Sequence, residues 1–480
     1  MPHAWPSDRR LLTAALVVWA VVAAIGVAFS PPLGHDEAAF AIAARGDVPA
    51  GGWLYRSEGT VVLAGLGVAL GAADWQLRIA SAALSIALVI AAFAVGRAAF
   101  TARAGAWAAA LVAGAHPMAL RSAQLLSDLP AAACLLGGIA VLVGELDRPT
   151  RLAAPRGARD AGAEAGSEIG HGAGPDAGRG VGRDAGPRWR LVAAAPLLAA
   201  AFYLRYGSAP VIALALGAAG LIWWRAVAAR PLRALATVAA LAALLVPHLA
   251  HAHAVTGSAL GILEVSAAMP RRAYVGEGLV TYVASNPFAF YGVLIAPVIV
   301  AGLVGLVRAR RRAPWYLAIV ALGQLVALGL QSHGQPRYVF VATILLAVLG
   351  VDAIAPLARP RLAAAIIAAS WLHVVIGQVV VSREAAHSRA PIVEAARAIR
   401  GDAGGRPCAA VALLAPQLAW YSGCEVYVFR LQAVMPADRV RYIASFTRRP
   451  IDPAPLLAAQ HLRATPIATG DPDARVWRLE

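Results

Sequence analysis

Long apolar runs recur along most of the first 381 residues and predict membrane-spanning helices. A spanning helix needs about 20 mostly apolar residues, and about eleven runs approach that length, two of them as a shorter pair that meets near Arg205. The runs are 11–29, 77–95, 104–120, 129–146, 191–204, 210–224, 235–251, 287–307, 314–330, 338–357 and 362–381. The pattern predicts a mainly α-helical, polytopic membrane protein with about eleven transmembrane helices.

The glycine-rich apolar stretch 59–73 is short for a crossing, and its position decides the sidedness of every later loop. If it lies on the membrane surface, the arginine clusters between the runs all fall on one side, including those at 308–312 and 359–361. The positive-inside rule assigns that side to the cytoplasm. The first loop, 31–76, is then external and carries interfacial helices.

Two segments lack membrane character. Within a transmembrane domain of residues 1–381, residues 147–189 are rich in Gly, Ala, Arg and Asp and predict a disordered cytoplasmic loop, because they offer almost no apolar surface to bury. Residues 382–480 have a soluble composition, with a helical pattern near 393–399. Strand-like runs follow at 409–414, 425–429 and 441–446. The C-terminal segment therefore predicts a small extracytoplasmic α/β domain.

The composition agrees with a membrane environment and narrows the chemistry. The chain has 480 residues, of which 60% are hydrophobic and 14% charged, with a net charge of +16. The arginines punctuate apolar runs, so the charge indicates topology and no nucleic-acid partner is expected. The absence of lysine excludes Schiff-base lysine chemistry and the lysine-dependent phosphate loop. The cysteines Cys134, Cys408 and Cys424 fit neither a disulfide framework nor a zinc motif, although the last two could pair outside the cytoplasm.

Acidic residues of interest collect at the predicted external edge. Asp36 and Glu37 follow the first apolar run and a Pro31-Pro32 break, and Asp128 opens the fourth run. Carboxylates at the membrane edge cost free energy when they are dehydrated, so they need water or a task. Both aspartates also fit the N-cap position of a helix, so a capping role and a functional role both stay open here.

Arginines occur on the same predicted side. Arg205 lies between two tyrosines, and Arg337 precedes Tyr338. Each arginine could extend to the interface while its tyrosine neighbour anchors at headgroup level. A guanidinium group is also suited to a bidentate contact with a phosphate, and lipid phosphates lie at this depth.

External histidines raise the question of a metal. His248 and His251 share a helical face at i, i+3 spacing, His253 lies nearby, and His35 and His333 are also external. None of them has the spacing of an established zinc motif. The sequence therefore predicts no required cofactor and leaves a divalent metal possible.

In order and sidedness, these motifs resemble the GT-C superfamily of polyprenyl-phosphate-sugar glycosyltransferases, and within it the protein O-mannosyltransferase group that includes the lipid A aminoarabinose transferase. The likeness rests on Asp36-Glu37, on the pattern Pro117-x-x-x-x-Arg121…Asp128-x-Pro130 and on Arg337-Tyr338. It covers essentially the whole chain. Where many members have Lys-Pro-Pro before the interfacial helix, this chain has Arg56-Ser57-Glu58-Gly59.

The resemblance implies inverting transfer of a monosaccharide from a polyprenyl-phosphate donor to a hydroxyl of a lipid, glycan or protein, on the outer face of the cytoplasmic membrane. It implies a catalytic set of Asp36, Glu37 and Asp128 and a donor phosphate-binding set of Arg337, Arg205, Arg121 and Tyr338. Asp36 would be the general base. A lipid phosphate leaves as a stable anion, so one carboxylate suffices where a glycoside hydrolase needs two.

Two other classes fit the hydropathy pattern. A secondary transporter would place ionisable groups near the bilayer midplane on broken helices, whereas the apolar runs here are almost free of interior charge. A non-catalytic membrane assembly protein would use the C-terminal segment to bind a partner and would leave the membrane-edge acids explained only as caps. The sidedness of the polar residues favours chemistry on a lipid-linked substrate.

Overall fold

The structure is a computed structural model that describes residues 8–47, 56–147, 189–268, 272–355, 359–429 and 435–480. The α-helices are α1 Asp8–Phe29, α2 His35–Arg45, α3 Glu58–Ala69, α4 Asp74–Ala99, α5 Ala102–Ala113, α6 His116–Ala119, α7 Asp128–Leu146, α8 Ala194–Leu204, α9 Ala209–Ile222, α10 Trp224–Ala228, α11 Pro231–Thr256, α12 Gly261–Ala268, α13 Glu277–Ala284, α14 Pro287–Tyr291, α15 Ile295–Leu306, α16 Arg312–Gln331, α17 Phe340–Ile354, α18 Pro360–Ala403, α19 Ala415–Ser422 and α20 Ala454–Gln460. Short 3₁₀ helices are Arg190–Ala193, Tyr206–Ser208 and Pro336–Val339. The loop predicted at 147–189 lies, apart from its two end residues, outside the described residues.

Within the described ranges, seven helices are long and apolar enough to cross a membrane. They are α1, α4, α7, α11, α16, α17 with its preceding 3₁₀ turn, and the apolar part of α18. Shorter apolar helices, including α3, α5, α8, α9 and α15, pack among them. The predicted mainly helical, multi-pass architecture is confirmed, while the count of about eleven spans stays a prediction.

Two of the predicted spans are interrupted. The run 104–120 forms α5 only as far as Ala113, and a separate turn starts at His116. The run 287–307 is divided at Gly292, whose φ of +105° is a conformation that glycine adopts readily. Hydropathy does not register these breaks, because the residues on both sides of them are apolar.

The core of the membrane part is built on helices that approach closely at small residues. Helix α4 packs against α1, α5 and α7. At the crossing of α15 and α17, a Cβ added to Gly302 would lie 2.6 Å from the backbone nitrogen of Gly350. Small residues permit such close helix contacts in a membrane, where packing and not the hydrophobic effect drives association.

The C-terminal domain is a five-stranded mixed sheet in the order β2-β1-β3-β5-β4. Its strands are β1 Cys408–Ala412, β2 Glu425–Val428, β3 Val440–Phe446, β4 Ala464–Ile467 and β5 Ala474–Leu479. The predicted α/β character is confirmed. Helix α18 continues past residue 381 as far as Ala403, and its last turns pack on the sheet through Ala395, Ala396 and Ile399.

A disulfide joins Cys408, at the start of β1, to Cys424, just before β2. The sequence pattern alone did not favour this bond. The two cysteines pair because α19 ends at Ser422 and returns the chain to the edge of β1, where β2 runs parallel to it.

Candidate active site

Asp36 lies in the first turn of α2. Gly34 is the N-cap of this helix, and its N–H donates to Glu37 Oε2 at 2.7 Å. Glu37 therefore takes the capping role, and the Asp36 carboxylate points to other partners. Of the two roles left open by the sequence, capping does not account for Asp36.

Both carboxylate oxygens of Asp36 accept hydrogen bonds from arginines. Arg56 Nη1 lies 2.9 Å from Oδ1, and Arg337 Nη1 lies 3.0 Å from Oδ2. Burial raises the pKa of Asp36, but the two guanidinium groups outweigh that effect and hold the pKa well below its usual value of 3.8. Asp36 is ionised, and 29% of its side chain remains exposed.

Asp128 lies beside the same arginines. It forms an ion pair with Arg205, and its Oδ2 is 3.9 Å from Nη1 of Arg337. Arg337 thus bridges the two aspartates. The Tyr338 ring lies under both guanidinium groups, with centroid distances of 5.0 Å to Arg205 and 5.5 Å to Arg337. A cavity of about 20 Å³ opens between these side chains.

Arg121 completes the positive side of the cluster. Its Nη1 is 3.4 Å from Gln124 Oε1, and no carboxylate of the described residues lies within ion-pair distance of it. Burial and the neighbouring Arg337 lower the pKa of Arg121, and Asp36 opposes them. Arg56 and Arg205 bring the cluster to four guanidinium groups against two carboxylates. The site therefore has an excess of positive charge that suits an anion.

Glu37 is buried and its carboxylate is fully engaged. Arg78 donates to both oxygens, at 2.9 and 3.1 Å, and the Leu125 N–H donates to Oε1 at 2.9 Å. Arg389 Nη1 lies 3.6 Å from Oε2. Burial raises the pKa of Glu37, but Arg78, Arg389 and the Gly34 N–H lower it to about 2. This network joins α2, α4, α18 and the segment before α7.

The C-terminal domain also fastens the segment that carries Asp36. The Tyr421 hydroxyl of α19 accepts from the Leu33 N–H at 2.6 Å and donates to Asp74 Oδ2 at 2.8 Å. Arg389 Nη1 donates to the Pro32 carbonyl at 2.6 Å. The chain entering α2 is therefore held from outside the membrane domain.

The histidines that the sequence predicts to be external are not grouped as metal ligands among the described residues. His248 Nδ1 is 3.2 Å from Glu58 Oε1, and its ring lies against Phe202, Tyr203 and Tyr206. Across the part of the chain that the structure describes, no three His, Cys, Asp or Glu side chains are grouped to hold a metal ion. Asp36 and Asp128 are paired with guanidinium groups, which have no lone pair to offer a metal ion.

The structure brings Asp36, Asp128, Arg121, Arg205, Arg337 and Tyr338 together and separates Glu37 into the adjoining network. Sequence reasoning missed Arg56, Arg78, Arg389 and Tyr421. A signal existed for two of them. Arg56 stands where this chain departs from the family pattern, and Arg78 is a charge one residue inside an apolar run.

Solved structures with the same fold cover nearly the whole chain. The crystal structure of ArnT from Cupriavidus metallidurans bound to undecaprenyl phosphate matches with a TM-score of 0.69 at 14% identity, over 98% of this chain and 97% of that one. Its apo form matches with a TM-score of 0.68 at 16% identity, with the same coverage. The oligosaccharyltransferase AglB from Archaeoglobus fulgidus, in complex with an inhibitory peptide and a dolichol-phosphate, matches at 0.52 and 11% identity, over 90% and 69%.

No family model and no curated protein sequence matches the chain. The fold is nevertheless that of ArnT and AglB, both members of the GT-C superfamily, so the fold expected from the sequence motifs is confirmed.

Proposed function

We propose that this chain is an inverting glycosyltransferase that moves a monosaccharide from a polyprenyl-phosphate donor to a hydroxyl of a lipid, glycan or protein. The observation that carries the proposal is the convergence of Asp36 and Asp128 on Arg337, a residue 301 positions from Asp36 in the chain. An ionised carboxylate beside surplus guanidinium groups provides a base next to a phosphate site.

The solved relatives support the donor class. ArnT has been crystallised with undecaprenyl phosphate, and AglB with a dolichol-phosphate. In this chain, Arg337, Arg205 and Arg121 would hold the donor phosphate, with Tyr338 supporting the first two through its ring. These arginines stabilise the charge that develops on the phosphate as the glycosidic bond breaks.

In the reaction, the acceptor hydroxyl attacks the anomeric carbon from the face opposite the phosphate. Its proton passes to Asp36, and the electron pair of the broken carbon–oxygen bond leaves with the lipid phosphate. Arg56 and Arg337 lower the basicity of Asp36 in the free protein, and of these two Arg337 would also bind the phosphate. When the phosphate takes over part of the Arg337 hydrogen bonding, Asp36 becomes more basic at the moment when it must accept a proton.

Glu37 acts in this proposal through position and not through proton transfer. Its oxygens are engaged by Arg78 and by backbone N–H groups, so they have no free direction toward a substrate. The buried pair fixes the first turn of α2 and with it the direction of the Asp36 side chain. Asp128 similarly orients Arg205 and Arg337 toward the cavity that they line.

The site would lie on the outer face of the cytoplasmic membrane. The Cys408–Cys424 disulfide supports this, because such bonds persist in oxidising compartments. The arginine clusters favour a cytoplasmic side opposite Asp36. Residues 1–381 would form the transmembrane domain and 382–480 the extracytoplasmic domain. The ionisable groups of the site adjoin helix ends, which disfavours the alternative of a transporter with a midplane site.

The test replaces Asp36 in the full-length protein. Membranes from a strain that lacks the gene, complemented with the wild type or with Asp36→Asn, are supplied with labelled undecaprenyl-phosphate sugars. Labelled products are compared by mass spectrometry. Asp36→Asn should abolish transfer while expression stays intact. The matched control is Asp47→Asn, an exposed acid at the other end of α2 that pairs only with Arg45 among described residues. Undiminished transfer by Asp36→Asn refutes the base assignment.

A further inference from the structure

A second cationic cavity lies between α18 and the C-terminal domain, outside the cluster around Arg337. It measures about 190 Å³, more than ten times the ~10–15 Å³ that one water molecule needs. Its charged and polar lining comes from α18, from α19, from the turn that follows β3 and from the loop before β5. These residues include Arg389, Arg448, Arg449, His387, Gln417 and Asp473.

The lining combines excess positive charge with an unsatisfied polar group. The lining holds three arginines and one acidic residue, Asp473; Arg389 is already paired with Glu37, so Arg448 and Arg449 supply the excess charge. Gln417 is only 5% exposed, and its Oε1 accepts no hydrogen bond of normal length from the described residues, although its side chain lies close to that of His35. A buried amide oxygen without a donor is costly. A ligand with both an anionic group and a hydroxyl would serve the arginines and the amide together.

The cavity adjoins the segment that carries the proposed base. Arg389 lines it and also contacts Glu37 and the Pro32 carbonyl. Burial lowers the pKa of His35, the residue before Asp36; Asp36 and Gln417 raise it, and Arg56 and Arg449 lower it, so two residues of the cavity lining lie near His35. A molecule held in this cavity therefore lies beside the loop at the start of α2, on the side of the C-terminal domain.

We propose that this cavity binds a phosphate or carboxylate group of the acceptor, distinct from the hydroxyl that receives the sugar. The inference rests on the proposed function and adds to it an acceptor class, a hydroxylated anion. The donor phosphate already has Arg337, Arg205 and Arg121, so the arginines of the second cavity serve a different charge. Because Arg389 touches both the cavity and Glu37, the acceptor is bound against the element that positions Asp36.

The experiment measures binding of glycerol phosphate, with glycerol as the neutral comparison, by calorimetry on the purified full-length protein. The protein is first saturated with undecaprenyl phosphate, so that the donor site is filled. The variant is Arg448→Gln/Arg449→Gln, and the matched control is Arg475→Gln, an exposed arginine on β5 that does not line the cavity. We expect the double variant to bind glycerol phosphate at least tenfold more weakly and the control to match the wild type.

Three results would overturn the proposal. The first is an equal affinity of the wild type and the double variant for glycerol phosphate. The second is an equal loss of this affinity in Arg475→Gln. The third is binding of glycerol as tight as that of glycerol phosphate. Once the acceptor is identified, the double variant should raise the KM for the acceptor and not for the donor. An unchanged acceptor KM would also overturn the assignment.

Two further experiments distinguish a lipid source of the anion from a soluble one, and failure of the cavity proposal from failure of the base assignment. Nanodiscs of phosphatidylglycerol, compared with phosphatidylcholine, compete with glycerol phosphate if a lipid headgroup enters the cavity, and do not compete if the acceptor is soluble. Both results support an anion site. If Asp36→Asn retains transfer while the double variant loses glycerol phosphate binding, the base assignment is refuted and the cavity proposal is supported. If Asp36→Asn is inactive and the double variant binds normally, the cavity assignment falls alone.

Discussion

At the residue scale, Arg337 has two tasks that oppose each other. It stabilises the ionised form of Asp36 in the free protein, and under the proposed function it would offer the same guanidinium group to the donor phosphate. A carboxylate whose ionised form is stabilised by hydrogen bonds from arginine is a weak base. It becomes a stronger base when those hydrogen bonds are released. The Asp36 base is therefore expected to gain strength only when donor is bound.

Arg337→Gln tests this coupling through pH. Without Arg337, the burial of Asp36 is opposed mainly by Arg56, so its pKa rises and the carboxylate is protonated at higher pH than in the wild type. The acid limb of kcat/KM, which reports the free enzyme, should move to higher pH, and kcat should fall about 10²–10³-fold. The control is Arg45→Gln, at an arginine on α2, the helix that carries Asp36. An acid limb that stays in place contradicts the coupling.

Glu37 gives a second pH-dependent prediction, on stability. Its folded pKa of about 2 lies below its ordinary value of 4.5, so its ionised form stabilises the fold above the ordinary pKa and this contribution is lost as pH falls toward 2. Glu37→Gln should destabilise the protein by about 3–5 kcal/mol at neutral pH, because Arg78 is left as a buried unpaired charge. The difference in Tm between variant and wild type should shrink between pH 5 and 3, measured in detergent. Parallel Tm curves would contradict the prediction.

At the element scale, the active-site segment depends on α19, which lies far along the chain. Tyr421→Phe removes the hydroxyl that accepts from the Leu33 N–H and donates to Asp74. An unsatisfied buried N–H costs about 1–3 kcal/mol, so the segment before α2 should loosen. We expect faster hydrogen exchange at residues 30–37 and a several-fold lower kcat. Tyr274→Phe, at an exposed tyrosine, is the control. Unchanged exchange would show that α19 does not hold the segment.

The elements were more predictable than the site. A spanning helix is a local property, because about 20 consecutive residues must satisfy the lipid, so apolar runs identify α1, α4, α7 and α16 directly. Breaks within runs depend on single residues such as Gly292 and are invisible to hydropathy. The pairing of Asp36 with Arg337 spans 301 positions and depends on tertiary packing alone. Arg389 gave no signal in the sequence, since its charge fits any helix near a membrane surface, and the position of Arg78 inside an apolar run did not identify Glu37 as its partner.

At the scale of the whole molecule, orientation decides whether the chemistry is available to extracytoplasmic acceptors. The arginine clusters and the disulfide indicate independently on which side of the membrane the sheet domain lies. The clusters act through charge during insertion, whereas Cys408 and Cys424 require an oxidising compartment. Both support the proposed orientation, in which the sheet domain, and with it Tyr421 and the second cavity, would lie on the outer side. If the arginine clusters and the disulfide indicated opposite sides for the sheet domain, the proposed donor and acceptor could not meet at Asp36.

Cysteine labelling of intact cells tests this agreement. In a Cys134→Ser variant, which leaves only the disulfide pair, a membrane-impermeant maleimide should label nothing until a membrane-impermeant reductant is added, and should then label Cys408 and Cys424. A second variant carries Ala309→Cys in a chain whose three native cysteines are replaced by serine. Ala309 lies in the arginine cluster after α15, so this cysteine should react only after the membrane is permeabilised. Labelling of the C-terminal pair only after permeabilisation would move the domain to the cytoplasm. Since α18 joins that domain directly to the membrane part, the Asp36 site would move with it.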